Sequence, residues 1–184
     1  MQAEKLFQKI DQHEIDADQL AALIPENQPL QAVIDGIYSE KPCVNYACVE
    51  ALRKVSRAHP RLLYAYFNTL VDLLRTSQPL IRTEIIYILA NLAQVDTQNK
   101  IDEFLDAYFE PLDGPNLLTA MSVVKASLRV LAAKPYLGKQ IAGELLRVQS
   151  GKYENEECRR LIYEEVLDTL QIMRSQPRSA GMAN

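Results

Sequence analysis

QPLIRTEIIYILANLAQVDTQNKIDEFLDAYFEPL, residues 78–112, decides how the chain is read. From Pro79 onward the pattern predicts a helix in which Ile81, Ile85, Ile88 and Leu92 fall at i, i+4, i+7 and i+11. Ile86, Leu89 and Ala93 form a second apolar row beside the first, and Glu84, Tyr87, Asn91 and Gln94 share one narrow polar stripe. An apolar face this wide has to be covered on more than one side. After a turn at Val95–Asp96–Thr97 a second helix is expected. Ile101, Phe104, Leu105 and Tyr108 make its apolar face, and Asp102, Glu103, Asp106 and Glu110 lie opposite. One hairpin cannot hide the first helix, so a similar hairpin is needed on each side. That is the logic of a stacked helical repeat.

The flanking sequence continues the pattern. Upstream, residues 3–11 predict a short amphipathic helix with Leu6, Phe7 and Ile10 on one face. Asp16 with Gln19 forms a capping box for a helix through Leu20, Leu23 and Ile24 that Pro25 is expected to end. Pro29 opens another, with Leu30, Val33, Ile34 and Ile37 at helical spacing. A longer helix runs from Pro42 to about Arg57, with Ala47, Cys48, Ala51, Leu52 and Val55 inside and Tyr46, Glu50, Arg53 and Arg57 outside. His59–Pro60 turns the chain into a helix expected to reach Arg75 and to bury Leu63, Phe67, Leu70 and Leu74.

Downstream, Asp113–Gly114–Pro115 breaks the chain. The next helix is expected to bury Leu117, Met121, Val124, Leu128 and Leu131 and to turn Ser122, Lys125 and Arg129 outward. Its partner after Pro135 carries Leu137, Ile141, Leu145 and Val148. A last helix, from about Asn155 to Met173, is expected to bury Leu161, Ile162, Val166, Leu167 and Leu170. Its outer face holds Glu156, Arg160, Glu164 and Asp168.

Composition narrows the class further. The 184 residues are 48% apolar and 24% charged, as in an ordinary soluble domain. A chain of this size buries about 70% of its unfolded surface without disulfides or metals. Six glycines and the lack of alternating β-branched runs speak against a sheet. A net charge of −4 is a poor match to nucleic acid or an anionic membrane. Cys43, Cys48 and Cys158 are an odd number in apolar helical context, so they read as small core residues in a reducing, cytoplasmic setting. MQAEKLFQKIDQHEID lacks the apolar core of a signal peptide. No stretch approaches the roughly 18 apolar residues that a membrane span requires.

The long hairpins open at Pro42, Pro79 and Pro115, 37 and 36 residues apart. Their helix cores, Leu52, Leu89, Leu128 and Leu167, are spaced 37, 39 and 39 apart. A two-helix period near 40 residues, with the early proline, Arg82 three residues on, and the Leu89–Ala90 and Leu92–Ala93 pairs, resembles HEAT-repeat proteins over residues 42–174. The resemblance implies an all-α, right-handed α-solenoid of HEAT-like hairpins, an α-α superhelix. First helices would line its convex side and second helices its concave side. HEAT proteins mostly bind other proteins through the concave face or the ridge of turns. Some bacterial relatives assist chromophore attachment, and a HEAT-like branch excises alkylated DNA bases.

Little in the chain points to catalysis. His13 and His59 have no partner at metal or triad spacing, and the His–Glu pairs of the HEAT hydroxylases reduce here to His13–Glu14. No phosphate-binding glycine loop, nucleophile elbow or Cys–His dyad is present. A non-enzymatic chain with no metal and no other cofactor is therefore expected. RKVSRAHPR, residues 53–61, gathers Arg53, Lys54, Arg57, His59 and Arg61, with Lys125 and Arg129 expected on the same convex surface. Nucleic acid would want aromatics beside them to hold an extruded base, and the chain has no tryptophan. A solvated or protein-docking patch is favoured there.

The expectation is thus one domain over 1–174. It has a degenerate cap in 1–41, three long hairpins in 42–150, a capping helix in 151–174 and a disordered tail in 175–184. Its function is that of a scaffold or adaptor for a protein or peptide of basic character, with no membrane partner. The docking row is Tyr64, Asn68, Asp72 and Arg75, then Asp102, Asp106 and Glu110, then Gln140, Glu144 and Arg147. The alternatives are a nucleic-acid-binding or DNA-repair protein, or an accessory factor for a cofactor-attachment enzyme.

Overall fold

The computed structural model describes residues 3–27, 29–76 and 78–175, and no strand occurs among them. The chain divides into two compact units, Met1–Val95 and Asp96–Asn184.

In the first unit, α1 (Ala3–Asp11), α2 (Ala17–Asn27) and α3 (Leu30–Gly36) pack on α4 (Pro42–Ala58). The capping box forms as the sequence predicts. Asp16 N–H donates to Gln19 Oε1 at 3.0 Å, and Gln19 N–H donates to Asp16 Oδ1 at 2.8 Å. Pro25 does not end α2, which continues to Asn27. After His59, the second helix is broken into α5 (Pro60–Leu63), a 3-10 turn over Tyr64–Tyr66, α6 (Phe67–Asp72) and a 3-10 turn over Leu73–Arg75. The expected continuous helix is therefore a chain of short pieces. Its inward row, Leu63, Phe67, Leu70 and Leu74, is buried as predicted.

Helix α7 (Pro79–Leu92) closes the unit, followed by a 3-10 turn over Ala93–Val95. Ile81, Ile85, Ile86, Ile88, Leu89 and Leu92 are all buried. Each is worth about 1.5–3 kcal/mol relative to exposure. The polar stripe of α7 is largely engaged by α4, with only Gln94 at its end exposed. Asn91 is buried and donates to Ser56 Oγ at 2.8 Å. Glu84 receives Arg53 Nη1 at 2.7 and 2.9 Å, and the Arg53 guanidinium stacks 4.2 Å from the Tyr87 ring centre. Asn45 donates to Gln78 Oε1 at 3.3 Å. The pairs 45–78, 53–84 and 56–91 advance together, so α4 and α7 run side by side in the same direction.

The second unit opens with α8 (Lys100–Glu103) and α9 (Leu105–Phe109), followed by a 3-10 turn over Glu110–Asp113. Gly114 has φ +84°, where a side chain would be strained, and a Cβ there would also meet the Lys152 carbonyl. Asn116 caps α10 (Leu117–Ala133) by accepting from Thr119 N–H at 2.9 Å. A 3-10 turn over Pro135–Leu137, α11 (Gly138–Leu145) and a 3-10 turn over Leu146–Ser150 make its partner. Tyr136 meets Asp102 and Arg147 meets Asp113, each across 34 residues, so the two second-helix segments run in the same direction. Helix α12 (Glu156–Ser175) packs on α10 and contains Ser175, which the sequence places in the tail. Residues 176–184, the rest of that tail, lie outside the described residues.

Two faces are rotated from the sequence reading. In α10, Ser122 is buried and bonds the Leu118 carbonyl at 2.8 Å, while Leu117, Met121 and Leu128 are only half-buried. In α12, Ile162, Val166 and Thr169 are buried, while Leu161 and Leu167 are exposed.

The hairpins 42–75 and 117–150 share landmarks. Both first helices have 17 residues and end before an X–Pro step. His59 (φ −136°, ψ 55°) and Lys134 (φ −132°, ψ 72°) have nearly the same backbone there. The closing 3-10 turns end at Arg75 and Ser150, so every landmark recurs after 75 residues.

Candidate functional site

The proposed docking residues of the first unit sit on the broken second helix. Tyr64 is half-buried, its ring tilted on Phe67 at 5.9 Å between centres. Asn68, Asp72 and Arg75 are exposed. Asp72 and Arg75 stand at one end of a cleft of about 400 Å³ between the turn at 37–39 and the turn after α6. Neither makes an ion pair among the described residues.

In the second unit, Asp106, Glu110 and Gln140 are exposed, and Glu103 beside them is too. Glu144 and Arg147 are half-buried and already paired. Arg147 donates to Glu144 Oε2 at 2.9 Å and to Asp113 Oδ1 at 3.2 Å. Asp113, and after it Glu144, raises the Arg147 pKa above its usual range.

Asp102 does not point freely outward, as the docking row assumed. Its carboxylate receives the Tyr136 hydroxyl at 2.9–3.0 Å and lies 3.7 Å from Lys134 Nζ. Behind it is a buried charge network. The Lys134 side chain is 4% exposed and the Asp96 side chain 0%, and Nζ lies 3.1 Å from Asp96 Oδ2. Lys134 also donates to Asn99 Oδ1 at 2.7 Å and to Tyr136 OH at 3.2 Å. Asp96 accepts from the N–H groups of Lys100 at 2.9 Å and Ile101 at 3.0 Å, which caps α8. Burial alone would lower the lysine pKa. The bonds to Asp96 and Tyr136 outweigh it and hold the ammonium above its usual range.

None of these roles for Asp96, Asn99, Lys134 and Tyr136 was read from the sequence. The usable signal was the X–Pro position itself. Lys134 stands where the equivalent turn of the first unit has His59, and a long side chain there folds back over the preceding turn.

The basic run is partly neutralised within the first unit. Arg53 is held by Glu84, and Lys54 reaches Asp18 at 2.6 Å and Glu50 at 3.1 Å. Arg57, His59 and Arg61 are exposed. Of the cysteines only Cys48 is core, and burial pushes its thiol up to about 12. Cys43 and Cys158 are half-buried, which corrects the reading of all three as core. The Cys43 thiol donates to Asp11 Oδ1 at 3.1 Å, which raises its pKa. Among the described residues no group of three or more His, Cys, Asp or Glu could hold a metal ion, and no helix is long and apolar enough to cross a membrane.

Comparison of the chain with protein-family models, with curated proteins and with solved structures finds no match.

Proposed function

We propose that this chain is a HEAT-like α-solenoid serving as a non-enzymatic adaptor, docking a protein partner on the faces of its second helices. One contrast carries the reading. The polar side chains of α4 and α7 are largely spent on helix–helix bonds, as in Arg53–Glu84 and Asn91–Ser56. On the second helices several polar side chains stay exposed, as in Asn68, Asp72 and Arg75 in one unit and Glu103, Asp106 and Gln140 in the other, while Asp102, Glu144 and Arg147 are bonded within their own unit. The parallel runs within each unit and the 75-residue recurrence of landmarks, close to twice the sequence period, support the solenoid.

The excess carboxylate on α8 and α9 favours a basic partner and mainly raises its association rate. Charge reversal should leave Asp102 alone, since it belongs to the Lys134 network. Glu103→Lys with Asp106→Lys is expected to keep the helical spectrum and to weaken capture of the partner from lysate, most at low salt. If the double variant binds every captured protein as the parent does, the acidic face is only solvated and the docking reading fails.

A further inference from the structure

Helix α12 carries two seams, and only one of them is covered. The first, with Ile162 and Val166, is buried where α12 packs on α10. The second runs Glu156, Arg160, Tyr163, Leu167, Leu170 and Arg174, at i, i+4, i+7, i+11, i+14 and i+18. Steps of four and three are the a/d spacing of a coiled coil, so these six side chains lie in one line along the helix. The centre of the line is apolar and open. Tyr163 is 38% and Leu167 47% exposed, and Leu170 is half-buried. Its ends, Glu156 and Arg160 on one side and Arg174 on the other, are charged and exposed.

The same seam is closed elsewhere in the chain. The register that aligns the helix cores Leu52, Leu89 and Leu167 sets Tyr163, Leu167 and Leu170 against Cys48, Leu52 and Val55 in α4 and against Ile85, Leu89 and Leu92 in α7. All six of those are at most 2% exposed. In α4 and α7 these positions are core. In α12 they keep large apolar residues, yet nothing among the described residues closes over Tyr163 and Leu167. Large apolar side chains left open in a row mark an interaction surface, and coiled-coil spacing fits it to another helix.

We propose that the seam is closed by α12 of a second copy, packed antiparallel in a two-fold dimer. The charges select both the occupant and the direction. In a parallel pair Glu156, Arg160 and Arg174 would each face their own kind. In an antiparallel pair with the axis level with Glu165, Tyr163 of each copy faces Leu167 of the other. Glu156 then faces Arg174 at both ends, and the aliphatic stem of Arg160 covers Leu170. The seam is thus complementary to itself in one orientation only. Two helices of 20 residues, each about 30 Å long, bury less than about 1,200 Å² in all, the class of weak and transient contacts. The dimer is therefore a micromolar, concentration-dependent one. None of its residues belongs to the docking row, so the two readings fail separately.

The test is sedimentation velocity of the full chain from about 1 to 500 μM, a range that brackets micromolar dissociation constants. The sedimentation coefficient is expected to rise from that of a monomer to that of a dimer. Leu167→Glu should weaken the dimer at least about a hundredfold, since two leucines are lost from each interface. Its helical spectrum and Tm should match the parent's, because the position is exposed. Leu62→Glu, at an exposed leucine of the first unit, should leave the dimer unchanged. Arg174→Glu should weaken it about tenfold, and adding Glu156→Arg to that variant should restore it. That rescue separates a paired seam from unspecific apolar association. A monomer at every concentration, association that survives Leu167→Glu, or a charge swap that fails to restore the dimer overturns the proposal.

Discussion

Replacing Lys134 by Met removes the cation at the centre of the buried network while keeping an unbranched side chain of similar length. The Asp96 carboxylate, with no exposed side-chain surface, then loses its counter-ion 3.1 Å away. Breaking a buried pair from one side costs about 3–5 kcal/mol. Two backbone N–H groups still hold Asp96, so the loss should fall near the lower end, about 3 kcal/mol. For a chain of this length that corresponds to roughly 6–12 °C in Tm. Urea unfolding followed by circular dichroism of Lys134→Met, Asp96→Asn and the double variant measures it. The double variant should lose at least about 1 kcal/mol less than the sum of the singles, because the two side chains are in direct contact and either single variant already removes their ion pair. A loss below about 0.5 kcal/mol for Lys134→Met, the scale of a surface change, or strict additivity, would refute the network as a stabilising element.

Leu89→Ala in α7, at a position 2% exposed, is expected to cost about 2–5 kcal/mol in the same assay; a loss on the surface scale would mean that the helix is not buried there. Stability should also fall at alkaline pH. Burial holds Cys48 at about 12, and burial followed by the charge of Asp113 holds Tyr153 at about 12, while Lys134 is raised as well. Each group keeps its proton in the folded chain at pH values where the unfolded chain has lost it. The stability it contributes is therefore complete below its unfolded pKa, about 8.5 for cysteine and about 10 for tyrosine and lysine, and is lost as pH rises through the folded value. Chemical denaturation from pH 7 to 12 should show a decline from about pH 8.5 that steepens past about 10. Cys48→Ala should delay its onset; a flat profile, or an onset unchanged by that variant, would contradict the assignment.

The helical class was legible because apolar residues recur at helical spacing over most of the chain, and α7 could be read almost residue by residue. Prolines at Pro42, Pro60 and Pro79 marked helix starts correctly, since the first turn needs no N–H from that residue. Pro25 misled, because a proline removes one bond without forcing the helix to stop. Polar residues were the main source of error. Asn91, Ser122 and Asp102 look like solvent-facing positions in the sequence. The structure uses each as an intramolecular partner, which depends on a residue 34 or 35 positions away or on the helix's own carbonyls. Leu161 and Leu167 failed for the converse reason: α12 is covered on one side only, and the sequence does not say which leucines meet α10. The end of the docking row at Asp72 and Arg75 was readable as exposed charge. The cleft beside them was not, because its lining joins Ile37, Tyr38 and Ser39 to Asp72, Arg75 and Gln78, which lie far apart in the sequence.

The most direct test of docking on second-helix faces is hydrogen exchange of the full chain, alone and with a captured partner. Added protection is expected at residues 64–75, 102–110 and 140–147, with α4 and α7 exchanging as before. Protection confined to α4 and α7, or none in the second-helix segments, would contradict it.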